Sequence, residues 1–377
     1  MILMTVVLSI LSLACLGPIA KIKQYYSCVL LVCLFSSLAF YVDGGMLFFL
    51  FFEGTFFPIS YMVIIWGHNY ERVVAVTYMV LYSVTGSIYH MLALAVMNVE
   101  VGSGSFSEIV FLSGASDWEE CWWWGMVFML FLIKSPLFIF HLWLSKAHVE
   151  APTAASILLA GILLKLGVFG MLGYSSYWWC PVSWGVVLQV LGILGSIYAG
   201  LVCLRSQNIK LTIAQSSIAH MSLCVAGFFC GSQEVFDFTC LMAIAHGFCA
   251  SGMFLWAGGY YGRGSSLNSL MTGGQRLVCF EACVVMALLL FCNCSTPPFI
   301  SFWVELTFFS SLYGIWWKLL WVLIISSFTC MAFNVVLGVV VFHGEVEPSV
   351  AKHDSFSVKE TLSGLLLVCV LVVGYFS

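Results

Sequence analysis

The chain has 377 residues, of which 62% are hydrophobic and 8% charged, with a mean hydropathy of +1.07 and a net charge of -4. That composition excludes a soluble globular fold, and charge this sparse, spread over short loops, argues against nucleic acid or an acidic substrate. Apolar runs of about 17 or more residues can each cross a hydrocarbon layer roughly 30 Å thick as a helix, so the chain reads as an all-α polytopic membrane protein.

About twelve transmembrane spans are predicted, at 2–20, 25–42, 46–66, 73–97, 122–144, 152–174, 182–204, 210–231, 236–258, 278–308, 314–343 and 360–376. The first, MILMTVVLSILSLACLGPIA, has no basic n-region, and Lys21 and Lys23 follow it, which favours an uncleaved span over a leader. Span three carries Glu53, about a third of the way through MLFFLFFEGTFFPISYMVIIW. Span four carries His90 with no ionisable neighbour in its helix, which reads as a core histidine. The run Trp122 to Trp124, opening span five, reads as an interfacial aromatic belt.

Span five holds Lys134 in the middle of GMVFMLFLIKSPLFIFHLWL, and span six holds Lys165 in the middle of APTAASILLAGILLKLGVFGMLG. A charged lysine at the bilayer centre costs about 3 kcal/mol on insertion scales, so such residues usually mark an ion or proton route. Pairing with Glu53 would offset the desolvation of Lys134. For a separation of about 7 Å and an effective dielectric of about 20, Coulomb's law gives roughly 2.4 kcal/mol. His141, Lys146, His148 and Glu150 cluster where span five ends, with helix capping and proton uptake both open as roles.

Spans eight and nine carry His220 and His246 at mid-depth. A lone histidine on an apolar face is usually a satisfied core residue. Here Ser216, Ser217 and Ser222 surround one, and Gly247 and Ser251 flank the other, leaving room for water and favouring a proton relay over a metal site. Span ten is interrupted by Thr296-Pro297-Pro298 just before Glu305, as span five is by Pro136 just after Lys134. These two broken helices lie five spans apart. An odd offset inverts one five-helix unit relative to the other, and proline-broken helices at matching positions of inverted repeats point to a transport site. The expected division is a single N-terminal helix (1–24), two inverted five-helix repeats (25–174 and 175–343), and a C-terminal loop and helix (344–377).

Loop charges test the span count. Odd-numbered loops carry Lys21, Lys23, Arg72, Lys146, Arg205, Lys210, Arg263, Arg276, Lys352 and Lys359. Even-numbered loops carry Asp43, Glu100, Glu108, Asp117, Glu119, Glu120, Glu234 and Asp237, with Lys318 the basic exception. The positive-inside rule gives this alternation when every span crosses once, placing the odd loops in the cytoplasm or matrix. Arg205 with Lys210, and Arg263 with Arg276, most simply satisfy that rule or bind anionic lipid such as cardiolipin. The 16 cysteines lie mostly singly in apolar runs and read as small hydrophobes, not disulfides or metal ligands. Phe, Val, Leu, Cys, Gly and Trp, all encodable by T- and G-built codons, dominate, a skew typical of strand-biased organellar genomes.

IKSPLFIFHLWLSKAHVEAPTAASILLAGILLKLG resembles the signature of the chain 4 family of NADH:ubiquinone oxidoreductase (respiratory complex I). FFEGTFFPISYMVIIWGHNYERVVAVTYMVLYSVTGS, LRSQNIKLTIAQSSIAHMS, MAIAHGF and PPFISFWVELTFF match in the same order, over roughly residues 30 to 310. The resemblance implies an antiporter-like, proton-pumping membrane-arm subunit in which Glu53 pairs with Lys134. Lys165, His220 and His246 would form the central axis and Glu305 would end it. It further implies partners among the other membrane-arm subunits, including the neighbouring chains 2 and 5, and no cofactor in this chain. NADH, FMN, iron–sulfur clusters and ubiquinone would belong to other subunits. The implied location is the mitochondrial inner membrane, with a bacterial plasma membrane as the alternative. Departures from the family pattern are fewer N-terminal spans, Ser145 in place of a proline, and Gln215 where a tyrosine is common. The missing spans would lie outside both five-helix units. Two other readings stay open, a free-standing cation/proton antiporter and a non-pumping structural subunit.

Overall fold

Every long apolar run folds as a helix, because in hydrocarbon the backbone can satisfy its N–H and C=O groups only internally. In the computed structural model these helices are α1 (Ile2–Ala14), α2 (Ile22–Tyr41), α3 (Gly45–Trp66), α4 (Arg72–Val101), α5 (Asp117–Lys134) and α6 (Leu142–Glu150). There follow α7 (Thr153–Leu158), a π-helical turn (Leu159–Leu163), α8 (Leu164–Ser175), α9 (Val182–Arg205), α10 (Ile209–Phe228) and α11 (Gln233–Gly264). The last four are α12 (Phe280–Asn293), α13 (Ile300–Ile315), α14 (Trp317–Phe342) and α15 (Val358–Val373). The structure describes residues 1–14, 21–67, 69–101, 117–175, 182–230, 233–264, 274, 279–315, 317–343 and 358–373. Glu108, Arg276 and Lys352 lie outside the described residues, as do the side chains of Glu100, Asp117, Glu119, Glu120, Glu234, Arg263, Lys318 and Lys359.

Among the described residues, eight helices are long and apolar enough to cross a membrane, and Ile2–Leu13, Trp124–Lys134, Phe280–Asn293 and Glu360–Val372 are shorter apolar helices. Together they match the twelve predicted spans one for one. The spans differ in how much of themselves they hide. Thr153–Tyr174, Ile209–Phe228 and Thr239–Gly262 are 89%, 94% and 83% buried, whereas the other five long spans are 33–50% buried. The three most enclosed long spans carry Lys165, His220 and His246, so these three groups sit on the elements best shielded from lipid.

Both predicted breaks are present, and they are closed in the same way. Pro136 has no N–H to give the Leu132 carbonyl, which instead accepts from Leu137 N, five residues on, at 3.2 Å. In the second break Phe291 O accepts from Thr296 N, also five residues on, at 3.2 Å. Each break contains one non-glycine residue with positive φ, Ile139 at 87° and Ser295 at 51°. Trp143 Nε1 clasps the first break from its far side, donating to Ile133 O at 3.0 Å. Pro58, by contrast, lies inside α3 without ending it.

Glycines let several helices touch backbone to backbone. A Cβ at Gly192 in α9 would stand 2.6 Å from the Ser222 carbonyl oxygen and 2.8 Å from the Ala226 methyl of α10. Neither neighbour can rotate away, so Gly192→Ala is expected to part α9 from α10 at a cost of about 1–3 kcal/mol. A lowered thermal midpoint of the extracted protein is the expected result, and an unchanged midpoint would show that this contact yields freely.

Two sequence readings need correction. Trp124 is no interfacial anchor: it is 2% exposed, stacked on Phe128 at 4.4 Å and edge-on to Phe229. Trp122, at 70% exposure, remains on the surface. Lys210 is no loop cation available to lipid, because it is fully buried and donates to the Ala151 carbonyl at 3.0 Å. A lysine that opens a helix in sequence looks interfacial. Here the loop after α6 folds over it and its carbonyl replaces water.

Candidate functional site

Lys134 ends α5 just before the break, and α3 presents three groups to it. Its Nζ lies 3.8 Å from Glu53 Oε1, 4.5 Å from the Phe56 ring centroid and 5.3 Å from that of Phe52. An ammonium over aromatic faces is attracted by their quadrupoles, which partly replaces lost hydration. The Lys134 side chain is 4% exposed and Glu53 18%, with Glu53 Oε1 itself buried. Gly167 of α8 packs against this point: a Cβ there would lie 3.1 Å from Ser135 N and 3.3 Å from Lys134 Cβ. Two residues before that glycine is Lys165. Among the described residues no hydrogen bond joins the two lysines; their helices pack closely where Gly167 meets the Lys134–Ser135 backbone.

Lys165 is wholly buried. Its Nζ donates to Ala160 O at 2.6 Å, inside the π-turn, and lies 2.9 Å from His246 Nδ1. The wide turn displaces the ordinary i, i+4 ladder, and π-turns of this kind recur at functional sites. Gly161 and Gly247 frame the pair, and Leu8 and Met4 of α1 fill the space a Cβ would take at Gly161 and at Gly247 respectively. The His246 and His220 rings follow at 5.6 Å between centroids. Between them is a cavity of about 10 Å³ that Asn293, Ser301 and Cys249 also line. Among the described residues, His220 Nδ1 and His246 Nε2 have no hydrogen-bond partner. A polar pocket of that size suits about one water molecule. At the far end Ser295 Oγ donates to Glu305 Oε1 at 2.6 Å. Glu305 also borders an apolar cavity of about 30 Å³ lined in part by Cys224, Thr239, Ser326 and Ser327.

The predicted residues thus fall into three groups: Glu53 with Lys134, Lys165 with His246 and His220, and Glu305 on its own broken helix. His90 is the satisfied core histidine its surroundings suggest, bonded to Val127 O at 2.9 Å and to the Tyr174 hydroxyl at 3.3 Å. The cluster after span five divides. Lys146 is exposed with its Nζ 3.6 Å from the Tyr78 ring centroid. His141 is buried and stacked on Phe138, His148 is wholly buried and stacked on Phe254, and Glu150 is buried and accepts from Asn69 Nδ2 at 3.3 Å. A cavity of about 200 Å³ borders Glu71, Ser145, Lys146 and Glu150.

Sequence reading missed Lys210, Asn293, Ser295, Cys330 and Asn334. Only Lys210 carried a signal, a lysine at the edge of an otherwise enclosed helix. Cys224 and Cys249 stand four and three residues beyond His220 and His246, helical spacings that would suit metal ligation. Among the described residues no three His, Cys, Asp or Glu side chains converge to hold a metal ion.

Comparison with known proteins gives this arrangement a setting. Residues 45–331 match the family described as NADH:quinone oxidoreductase/Mrp antiporter, TM. The NADH-ubiquinone oxidoreductase chain 4 of Petromyzon marinus is 34% identical over 304 residues, covering 79% of this chain and 66% of the lamprey protein. That of Mytilus edulis is 32% identical over 347 residues, 92% of this chain and 79% of the mussel protein. The chain therefore spans just under two thirds of the lamprey relative's length. A chain of respiratory complex I from Thermus thermophilus superposes with a TM-score of 0.82 at 21% identity, over 93% of this chain and 80% of that one. One from the Mrp complex of a Dietzia species does so with 0.88 at 18% identity, over 99% and 42%. At those identities the structures attest to the fold alone. The matched family and the chain 4 relatives place this polytopic α-helical chain in the NADH:quinone oxidoreductase/Mrp antiporter membrane family, on its NADH-ubiquinone oxidoreductase chain 4 branch.

Proposed function

We propose that this chain is a proton-translocating, antiporter-like subunit of NADH:ubiquinone oxidoreductase in the mitochondrial inner membrane. The observation that supports it most is the Lys165–His246 contact. A lysine with no exposure, 2.9 Å from an imidazole nitrogen, puts a proton donor against a proton acceptor inside the least lipid-exposed spans. Burying such a pair costs stability, so its presence in these spans favours a functional role over a structural one. Protons would reach Lys134, governed by its ion pair with Glu53, pass to Lys165 by water and side-chain motion, and move through His246 and His220 to Glu305. The two five-helix repeats, 25–174 and 175–343, would each contribute one broken helix to this row. The redox cofactors NADH, FMN, iron–sulfur clusters and ubiquinone would reside in other subunits. Neighbouring partners would be the other antiporter-like chains 2 and 5, with cardiolipin among the annular lipids.

Native-gel migration after mild detergent extraction tests the assignment. With in-gel NADH dehydrogenase staining and antibody detection, this chain is expected to comigrate with NADH activity in a very large assembly. Migration as a small species, in a sample whose NADH-oxidising complex stays intact, would instead favour a free-standing cation/proton antiporter.

A further inference from the structure

Between His220 and Glu305 lies a polar cluster that the row of ionisable groups does not account for. Cys330 Sγ sits 3.4 Å from His220 Nε2 and donates to the Asn293 carbonyl at 3.5 Å. Asn334 Nδ2 donates to the Cys330 carbonyl at 2.9 Å, and Asn334 Oδ1 accepts from Asn293 Nδ2 at 2.9 Å. Two residues after Asn293, across the helix break, Ser295 Oγ donates to Glu305. Asn293, Ser295, Cys330 and Asn334 are all buried. Replacing both members of a buried hydrogen-bonded pair by apolar groups is close to neutral for stability, so packing alone gives no reason for an Asn–Asn pair among apolar helices.

We infer that the Asn293–Ser295 turn, together with Cys330 and Asn334, is a positioning device for the last proton transfer, holding His220 at one end and Glu305 at the other. The inference rests on the proton-relay reading above. The turn is held for a visible reason: the Phe291 and Cys292 carbonyls at the break each accept two hydrogen bonds. Cys292 O accepts from Ser295 N at 3.1 Å and from Ser301 Oγ at 2.9 Å, while Phe291 O accepts from Thr296 N and from Thr296 Oγ1. One pinned segment therefore touches the partner of His220 on one side and Glu305 itself on the other. The Ser295 hydroxyl holds Oε1 and so fixes the orientation of the carboxyl group that takes up and releases the proton. Misplacing a reacting group by about 1 Å can cost on the order of 100-fold in rate, which is why such a brace matters to transfer more than to folding.

The test uses the intact complex in liposomes, with NADH-driven proton translocation measured for Ser295→Ala, Ser295→Thr, Cys330→Ala, Cys330→Ser and Glu305→Gln, each first checked for assembly on native gels. Ser295→Ala, which removes one oxygen atom, is expected to assemble normally, to lower translocation at least about tenfold, and to shift the infrared carboxyl band that Glu305→Gln abolishes. Ser295→Thr restores the hydroxyl and is expected to return both rate and band to the wild-type values. Cys330→Ala and Cys330→Ser repeat the comparison at the His220 end and decide the matter if Ser295→Ala does not assemble. Wild-type rates and an unshifted band in the alanine variants, with Glu305→Gln impaired, would reject the brace and leave the relay standing. Failure of the threonine and serine variants to rescue would reject it as well, in favour of a packing role. Full translocation in Glu305→Gln would overturn the relay reading and this inference with it.

Discussion

Lys134→Arg is expected to assemble into the complex and keep its contact with Glu53, yet to lose proton translocation by at least about 100-fold, the scale on which positioned acid–base groups act. Arginine keeps the positive charge and reaches the same carboxylate, but it is not deprotonated in proteins, so it can hold the pair without passing a proton on. Lys134→Ala should lose translocation equally and cost stability in addition. That cost is on the scale of the roughly 3–5 kcal/mol of a broken buried pair, because the Glu53 oxygen facing the lysine is itself buried. The two substitutions separate a relay from a scaffold. A scaffold tolerates arginine, and undiminished translocation in Lys134→Arg would sink the relay. The observed geometry also revises the energetics. At 3.8 Å rather than about 7 Å, and the same effective dielectric of about 20, the Coulomb term rises from roughly 2.4 to about 4 kcal/mol before screening. Moving one proton against about 150 mV costs roughly 3.5 kcal/mol. Making and breaking this single pair is thus of the size of one translocation step.

Lys165→Met is expected to abolish translocation while changing stability little. Two opposing effects set that expectation. Removing a buried ammonium relieves several kcal/mol of desolvation, whereas the Ala160 carbonyl and His246 Nδ1 lose their donor at about 1–3 kcal/mol each. These nearly cancel, so the thermal midpoint should stay near that of the wild type while NADH-driven acidification is lost. A large fall in midpoint would mean that Lys165 is a structural strut, and the functional loss would then carry no information about transfer.

What was legible in the sequence follows from contrast. A charge inside a long apolar run stands out because burial penalises it, so Glu53, Lys134, Lys165 and Glu305 were visible, as were the two breaks marked by Pro136 and by Pro297-Pro298. The membership of the matched family was legible from the run around Lys134 to Lys165. Pairings across the chain were less so. Lys165 and His246 are 81 residues apart, and no local spacing announces their contact. The π-turn is silent too, since Leu159–Leu163 has the composition of any apolar helix. Asn293, Ser295, Cys330 and Asn334 escaped notice because uncharged polar residues are common in membrane helices, and only their convergence distinguishes them. Lys210 and Trp124 misled for a related reason. Helix ends and aromatic runs sit at interfaces by default, and a tertiary contact is what buries them.

The clasp between Trp143 and Ile133 constrains how Lys134 can move. A broken helix suggests a hinge, but this one is bolted across its gap by a buried hydrogen bond of 3.0 Å and by the Leu137 N to Leu132 O bond beneath it. Bending there would strand a carbonyl in a dry interior. The least costly motion at this point is accordingly that of the lysine side chain, which need not wait on the microseconds to milliseconds of collective helix displacement. The gate between paired and unpaired Lys134 would then be fast, and turnover would be paced by whatever elsewhere in the assembly changes the electric field it feels.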